Sequence, residues 1–440
     1  MNEELQSTEA VRASLEFTQK GEVKQTVGNY RSILINDSNL KGAFRLNMFT
    51  DKIDITRDLG WYRECDSLTD VDLKFLVYYF EKHYGLANEK RIDDAIKIVA
   101  NENRYHPVQE RLNSFVWDGK ERIRYALHHF LGAEISNYTY EVLKLFILGM
   151  ISRVFRPGIK FEVMLCLVGG QGAGKSTFLR FLAMCDDWFT DDLKKLDDDN
   201  VYRKLQGHSL VEIPEMVAIL NAKNVEDTKS FMSRQKDTYK TPYDKHPKDH
   251  KRQCVFAGSS NSLDFLPMDR SGNRRFLPIQ CNANEAEVHI LEDEKASREY
   301  IAQMWAEAME IYRSGKYQLR LPKEVQDELY EYQKRFMQED TKKELILDYL
   351  EHYEGNMVCS RQLYAEALAN DGSPAHWEIR EINDIMNNCS GWIAFSNPRY
   401  FPEPYRRQRG WEKPDNKMDD FQPLTEEQME QLSLPEEWMK

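Results

Sequence analysis

A glycine-rich loop followed by lysine and serine is the first stretch of the sequence that could do chemistry. Residues 169–176 read GGQGAGKS, which fits the phosphate-binding pattern G-x-x-x-x-G-K-[ST]. Glycines let successive backbone N–H groups point at a phosphate, and the N-terminus of the following helix adds positive potential. We therefore expect ATP and Mg²⁺ here, with the nucleotide bound by Gly169, Gly170, Gln171, Gly172, Ala173, Gly174, Lys175, Ser176 and Thr177.

Two glutamates in the segment HSLVEIPEM could complete a hydrolytic site. Glu212 lies in an apolar run, where an unpaired carboxylate is costly, and Glu215 follows Pro214. We assign Mg²⁺ binding to Ser176 and Glu212, and activation of the attacking water to Glu215, although the two glutamates could exchange roles. The alternative is a strand end that carries solvated glutamates.

Polar residues also follow the later apolar runs. Asn261 comes at the end of QCVFAGSSN and suits a sensor that binds the γ-phosphate and the attacking water. Arg274 and Arg275 are adjacent in SGNRRFLPI, where one of them could stabilise transition-state charge; a salt-bridged loop is the alternative. The predicted catalytic residues are Lys175, Glu212, Glu215, Asn261, Arg274 and Arg275.

The stretch of residues 234–252 is basic in an acidic protein. The net charge of −13 argues against nucleic-acid binding over most of the protein surface, because phosphate contacts require clustered lysine and arginine. In this one stretch, however, cations alternate with tyrosines, as in single-strand binding sites; a solvated charged loop is the alternative. The expected nucleic-acid contacts are Lys236, Tyr239, Lys240, Lys245, His246, Lys248 and Lys251.

The elements that must position these residues follow from the hydrophobic pattern. Short buried runs alternate with helical stretches between residues 159 and 285, which predicts an α/β core built around the phosphate loop. Residues 28–55 are expected to form a few short strands, followed by helices. The predicted division is a mobile or loosely docked arm (1–28), a mainly helical N-terminal domain (29–158), the P-loop core (159–285), a helical extension (286–340), a winged-helix-like module (341–413) and an acidic tail (414–440).

Cysteine usage and hydropathy limit where the protein works. The seven cysteines include no C-x-x-C pair, which favours reduced structural thiols over a disulfide framework or a zinc site. No apolar run approaches the length of a membrane span, and the N-terminus is acidic and polar. These features predict a cytoplasmic protein without a membrane partner.

The order of the motifs resembles one known family. GGQGAGKSTFLRFLA, WFTDDL, LVEIPEM, KDTYKTPY, FAGSSN and SGNRRFLPI together resemble the virulence-associated E family of prophages and genomic islands, which is similar to superfamily-three AAA+ replicative helicases. The resemblance covers roughly residues 29–285. It implies a P-loop (Walker A) AAA+ ATPase that forms a ring, commonly a hexamer, in a bacterial host cell, with single-stranded DNA in a central channel.

Carried onto this sequence, the resemblance places the phosphate cradle at 169–176 and the acidic pair at Glu212 and Glu215. It places the sensor at Asn261, the arginine finger at Arg274 or Arg275, and the channel hairpin in the basic stretch. Two departures stand out. The two acids are not adjacent, which leaves the catalytic glutamate open, and the sensor strand carries GSSN where threonines are more usual.

The favoured hypothesis is an ATP-driven, ring-forming DNA helicase or translocase that replicates a phage or other mobile genetic element. The alternative is a nucleotide-gated regulatory or anti-phage P-loop NTPase without unwinding activity. A mononucleotide kinase would leave the paired arginines unexplained. No acidic triad or zinc pattern of a primase is visible, so a separate primase or loader is an expected partner. Duplex DNA is a second expected contact, at Arg406, Arg407 and Arg409 of the C-terminal module; a basic-aromatic linker packed against the ring is the alternative.

Overall fold

The computed structural model describes residues 8–193, 201–216, 225–239, 247–266, 273–337 and 341–414, without the side chains of residues 203, 225 and 226. The chain divides into two compact units, residues 1–338 and 339–440. None of the helices within the described ranges is long and apolar enough to cross a membrane.

The first unit begins with a small helical region that has its own hydrophobic cluster, formed by side chains between Val11 and Ala100. A two-stranded antiparallel sheet lies within it. The elements are α1 (Thr8–Ala13), α2 (Val27–Asn36), β1 (Phe44–Asn47), β2 (Lys52–Ile55), α3 (Asp70–Tyr84) and α4 (Glu89–Glu102).

Two expectations concern this region. Val11, Leu15 and Val23 are buried in the cluster, so the described part of the expected arm is packed. Residues 27–36 form a helix where we expected strands. Thr26 caps this helix by accepting a hydrogen bond from the Asn29 N–H, and Ile33 lies on its buried face. The β-branched composition favoured a strand, but capping and helical spacing of the buried residues prevail.

A five-stranded parallel sheet forms the centre of the first unit. The strands stand in the order β4-β5-β8-β3-β9, and β3 and β8 are buried along their full length. Nearly continuous apolar strands are typical of a parallel sheet covered on both faces. The elements of this core are β3 (Met164–Val168), α8 (Lys175–Leu182), β4 (Phe189–Thr190), α9 (Val201–Leu205), β5 (Leu210–Ile213), α10 (Val225–Ser233), β6 (Lys236–Tyr239), β7 (Lys248–Lys251), β8 (Val255–Ser260) and β9 (Phe276–Gln280).

The connections of the sheet define where a ligand is expected. After β3 the chain runs to β4 at the far edge, whereas after β8 it crosses β3 to reach β9 on the opposite side. The chain therefore leaves two neighbouring strands, β3 and β8, in opposite directions. In open α/β sheets, ligands bind at the carboxyl ends of strands where the topology reverses in this way.

Helices that precede the core in the sequence and helices that follow it pack with the sheet in one hydrophobic cluster. The Tyr138 hydroxyl donates to the Pro278 carbonyl at 2.8 Å, and the Trp305 indole donates to the Leu182 carbonyl at 3.2 Å. The packing thus groups residues beyond about 106 with the sheet, whereas our sequence-based domain limits remain predictions. These helices are α5 (Pro107–Ser114), α6 (Ala126–Leu131), α7 (Asn137–Phe155), α11 (Glu294–Ser314) and α12 (Lys323–Lys334).

The second unit is a small mixed domain. A three-stranded antiparallel sheet has the order β10-β14-β11, and β12 and β13 form a separate hairpin. Val358, Ile382 and Trp411 contribute to its hydrophobic cluster. Its elements are α13 (Thr341–His352), β10 (Met357–Cys359), α14 (Ser360–Gln362), α15 (His376–Asn387), β11 (Ile393–Ala394), β12 (Arg399–Phe401), β13 (Arg406–Gln408) and β14 (Gly410–Glu412).

Candidate active site

The glycine-rich loop turns the chain from the end of β3 into α8. A Cβ atom on Gly169 would lie 2.3 Å from the Cys281 carbonyl oxygen, so this position requires glycine. Gly172 and Gly174 adopt left-handed backbone conformations, with φ of +81° and +76°. The helix then begins at Lys175 and buries its apolar face, which places its N-terminus at the carboxyl edge of the sheet.

Lys175 lies over the loop with its side chain largely buried. Its Nζ donates to the carbonyl oxygens of Gly169 at 2.7 Å and Gly170 at 2.8 Å, and to Asn261 Oδ1 at 3.0 Å. Burial lowers the pKa of Lys175, because the charged ammonium loses solvation. These three hydrogen-bond partners are neutral, so a phosphate bound here would give the ammonium an anionic acceptor.

Glu212 is the buried acid of the site. Its side chain is fully buried, and its Oε1 accepts hydrogen bonds from Ser176 Oγ at 2.7 Å and Ser259 Oγ at 2.6 Å. Burial raises the pKa of Glu212, although the two hydroxyl donors oppose that shift. Its Oε2 has no hydrogen-bond partner among the residues that the structure describes. A hydroxyl beside a carboxylate with one uncommitted oxygen is the hard oxygen set that suits Mg²⁺.

Glu215 lies just beyond this cluster. It is exposed and has a left-handed backbone conformation, with φ of 49°, which is uncommon for a residue other than glycine. The next residue, Met216, is buried against β8, where a Cβ atom on Gly258 would approach Met216 Sδ to 2.1 Å. The close packing of Met216 therefore explains why the GSSN strand end begins with glycine at position 258.

The paired arginines lie at the opposite edge of the sheet. The Met164 N–H, at the start of β3, donates to the Arg275 carbonyl at 2.7 Å, whereas Lys175 and Asn261 follow the carboxyl ends of β3 and β8. The five residues of β3 span about 16 Å at the rise of a parallel strand. The structure thus brings together Lys175, Ser176, Glu212 and Asn261, but it does not bring Arg274 or Arg275 to them.

Both arginines face one carboxylate. Arg274 Nη2 lies 3.8 Å from Glu162 Oε1, and Arg275 Nη2 lies 3.6 Å from Glu162 Oε2. The side chain of Arg274 is 78% exposed, whereas that of Arg275 is 21% exposed. The salt-bridge alternative considered from the sequence is therefore present, but for Arg274 it is a long contact at the surface.

The basic stretch forms a β-hairpin whose two arms are β6 and β7. Lys236 pairs with Asp249, Lys248 pairs with Asp51, and Lys251 is exposed. The Tyr239 ring stacks on His250 at 4.0 Å between ring centroids, and on its other neighbour, Tyr202, at 6.0 Å. The predicted contacts Lys240, Lys245 and His246 lie outside the described residues.

Sequence reasoning missed Ser259 and Glu162. The two serines of GSSN, at the end of a strand next to the one that carries Glu212, were a signal for a hydroxyl donor to that acid. Glu162 carried no such signal, because its two arginine partners are more than a hundred residues away in the sequence.

Comparison with known proteins gives one family and a set of distant structures. The model of the virulence-associated protein E-like domain matches residues 112–338, more than half of the chain. The apo structure of the NrS-1 C-terminal region (305–718) is 16% identical, with 84% of this chain and 95% of that chain covered and a TM-score of 0.46. An A-form apo structure of the same region is also 16% identical, with 84% and 96% covered and a TM-score of 0.46.

A comparison with curated proteins gave no match. The family model begins in α5, spans the phosphate loop, Glu212, Asn261 and the arginine pair, and ends after α12. The chain belongs to the virulence-associated protein E-like family.

Proposed function

We propose that this protein is an ATP-driven, ring-forming DNA helicase or translocase with a superfamily-three-like AAA+ core, acting in replication of a phage or other mobile genetic element. One observation carries the proposal. Lys175, Ser176, Glu212 and Asn261 meet at the carboxyl edge of the parallel sheet, while Arg274 and Arg275 lie at its amino edge.

The groups at the carboxyl edge suit the binding and hydrolysis of a nucleoside triphosphate. The loop N–H groups and Lys175 would bind the phosphates, and Ser176 with Glu212 would hold Mg²⁺, which supplies charge neutralisation for the β- and γ-phosphates. Asn261 already contacts Lys175 and would orient the attacking water from the same side. Glu215 is the candidate to accept the proton of that water.

The arginines require a second copy of the chain. The arginines and the cradle are separated by the full length of β3, about 16 Å, which is more than an extended arginine side chain can span, so neither arginine reaches a phosphate bound in its own subunit. In a head-to-tail assembly, however, the amino edge of one sheet can face the carboxyl edge of the next. A closed ring would satisfy every such contact, and each finger would then supply its positive charge across a subunit boundary.

The hairpin is the proposed contact with single-stranded DNA. It combines exposed Lys251 with stacked aromatic rings and with Lys236 and Lys248, whose surface ion pairs exchange readily for phosphate contacts. The second unit, with its helices, small sheet and hairpin β12-β13, is proposed as a winged-helix-like module that contacts duplex DNA through Arg406, Arg407 and Arg409. A separate primase or loader remains a proposed partner.

ATP hydrolysis measured with and without DNA tests this function. We expect single-stranded DNA at low salt to stimulate phosphate release and the protein to unwind a forked duplex. Lys175→Ala should lower turnover by about a hundredfold or more, since the cradle loses its side-chain cation. Lys97→Ala, which changes an exposed lysine on α4, is the matched control and should leave turnover unchanged. Hydrolysis that no DNA stimulates, without unwinding, would instead favour the nucleotide-gated regulator.

A further inference from the structure

Glu162 is a single carboxylate that faces three cations. Besides Arg274 and Arg275, its Oε2 lies 3.6 Å from Lys160 Nζ. Glu162 is 20% exposed, so these contacts are screened less than those of a fully solvated acid. Within the described part of the chain, three cations therefore share this one carboxylate at distances of 3.6–3.8 Å, and the most exposed of them is the one best placed to reach an external anion.

The two arginines differ in how firmly they are held. Arg275 is mostly buried, its main chain joins β3 through the Met164 N–H, and its Nε has no hydrogen-bond partner within the described part of the chain. Arg274 is mostly exposed and touches Glu162 only at 3.8 Å. Arg275 is therefore part of the packed edge of the sheet, and Arg274 is the more accessible of the two arginines.

The segment that carries Glu162 also contacts the base of the hairpin. We call residues 158–162 the strap. The Gly158 N–H donates to the Arg252 carbonyl at 2.9 Å, directly after β7. A Cβ atom on Gly158 would lie 3.1 Å from the Gln235 carbonyl oxygen, directly before β6. The strap thus packs against the ends of both hairpin arms.

A buried arginine fixes the middle of the strap. Arg153 is fully buried, and it donates to the carbonyl oxygens of Phe161 and Cys254, each at 2.6 Å. Because Cys254 follows the hairpin and precedes β8, this clamp ties the strap to the same part of the chain that leaves the hairpin. A displacement of the hairpin base would therefore be passed along the strap to Glu162 rather than absorbed in a loose loop.

We propose that Glu162 is a positioning residue, which holds Arg274 at the amino edge for the triphosphate of a neighbouring copy and links its orientation to the hairpin through the strap. This inference rests on the proposed function. It assigns Arg274 as the finger, Arg275 as its structural support, and the strap as the route by which DNA binding affects hydrolysis.

Glu162→Gln tests the inference. The variant keeps the size of the side chain and an oxygen to face Ser233 Oγ, which lies 3.3 Å from Glu162 Oε2, but it removes the charge that holds the arginines. We expect kcat for ATP to fall about tenfold with KM unchanged, because the nucleotide is bound at the opposite edge. DNA stimulation should be lost as well. Lys160→Gln removes a neighbouring positive charge but keeps the Glu162 carboxylate, and it should leave kcat and the DNA stimulation unchanged.

Subunit mixing separates positioning from a general structural defect. Glu162→Gln subunits have an intact cradle, and Lys175→Ala subunits have an intact finger. An equal mixture should recover about a quarter of wild-type ATPase, since one boundary in four joins the two intact halves. Arg274→Ala mixed with Lys175→Ala is the reference for the finger itself.

The outcomes distinguish the two levels of the proposal. If the Arg274→Ala mixture recovers activity and the Glu162→Gln mixture does not, the role of Glu162 is wrong while the proposed function stands. Full kcat and full DNA stimulation in Glu162→Gln alone would also overturn it. If neither mixture recovers activity although wild-type protein hydrolyses ATP, the hypothesis that Arg274 acts in a neighbouring subunit is wrong, and the role of Glu162 is wrong with it.

Discussion

Ser176 and Glu212 are joined by a hydrogen bond of 2.7 Å that links the first turn of α8 to β5. Ser259 donates to the same carboxylate oxygen from β8. Three elements of the core therefore meet at one oxygen of a buried acid, and the other oxygen has no hydrogen-bond partner within the described ranges. A buried carboxylate of this kind lowers the stability of the fold when it is ionised, and its remaining oxygen is suited to binding a cation.

Glu212→Gln should stabilise the protein in the absence of nucleotide, and the effect should depend on pH. Burial raises the pKa of Glu212 above its ordinary value of 4.5, so its contribution to stability is present below that pH and is lost as the pH rises through the raised folded-state pKa. Glutamine does not ionise, so the variant loses no stability from this position as the pH rises. The melting temperature of the variant should therefore exceed that of wild type at pH 8, with a smaller difference at pH 5. A difference that does not change with pH would contradict the buried charge.

Gly169→Ala and Gly170→Ala form a matched pair that tests the loop geometry. A Cβ atom at 169 would overlap the Cys281 carbonyl oxygen, whereas one at 170 would meet nothing within 4 Å. We expect Gly169→Ala to lower the free energy of unfolding by about 1–3 kcal/mol and Gly170→Ala to leave it nearly unchanged. Urea unfolding of both variants measures this, and equal stabilities would show that the loop does not approach Cys281.

Lys251→Ala should weaken DNA binding in a way that depends on salt. Lys251 is exposed on β7, the second arm of the hairpin, where a phosphate contact would release one counterion. Binding of single-stranded DNA, measured by fluorescence anisotropy over a range of salt concentrations, should have a log–log slope reduced by about one. Lys97→Ala on α4 is the control. An unchanged slope would place Lys251 outside the DNA contact.

The sequence anticipated the site where residue type and strand order suffice. The glycine pattern predicted a site at Lys175 and Ser176, and an acid inside an apolar run predicted Glu212; the structure brings these residues together, and their roles stay predictions. Their meeting follows because parallel strands end at the same edge of a sheet. Asn261 was predicted by the same reasoning, and it directly follows β8 and contacts Lys175.

Contacts between distant segments could not be foreseen. Glu162 and Arg274 meet only because β9 pairs with β3, a register that no local pattern encodes. Helix α2 was misread because its β-branched residues resemble those of a strand, and the cap at Thr26 outweighs that preference. The arm was predicted to be mobile or loosely docked because it lacks sustained periodicity beyond a short helical patch, and within it Val11, Leu15 and Val23 all reach one cluster.

A mixture of Arg274→Ala and Glu212→Gln subunits tests most directly whether each copy of the chain completes its neighbour's active site. Each variant alone should have little ATPase activity, because one lacks the finger and the other the acid of the cradle. Mixed in equal amounts in a ring, they should recover about a quarter of wild-type activity, at boundaries where an intact cradle faces an intact finger. Absence of recovery at every mixing ratio, with both variants folded and assembled, would contradict a finger that acts between subunits.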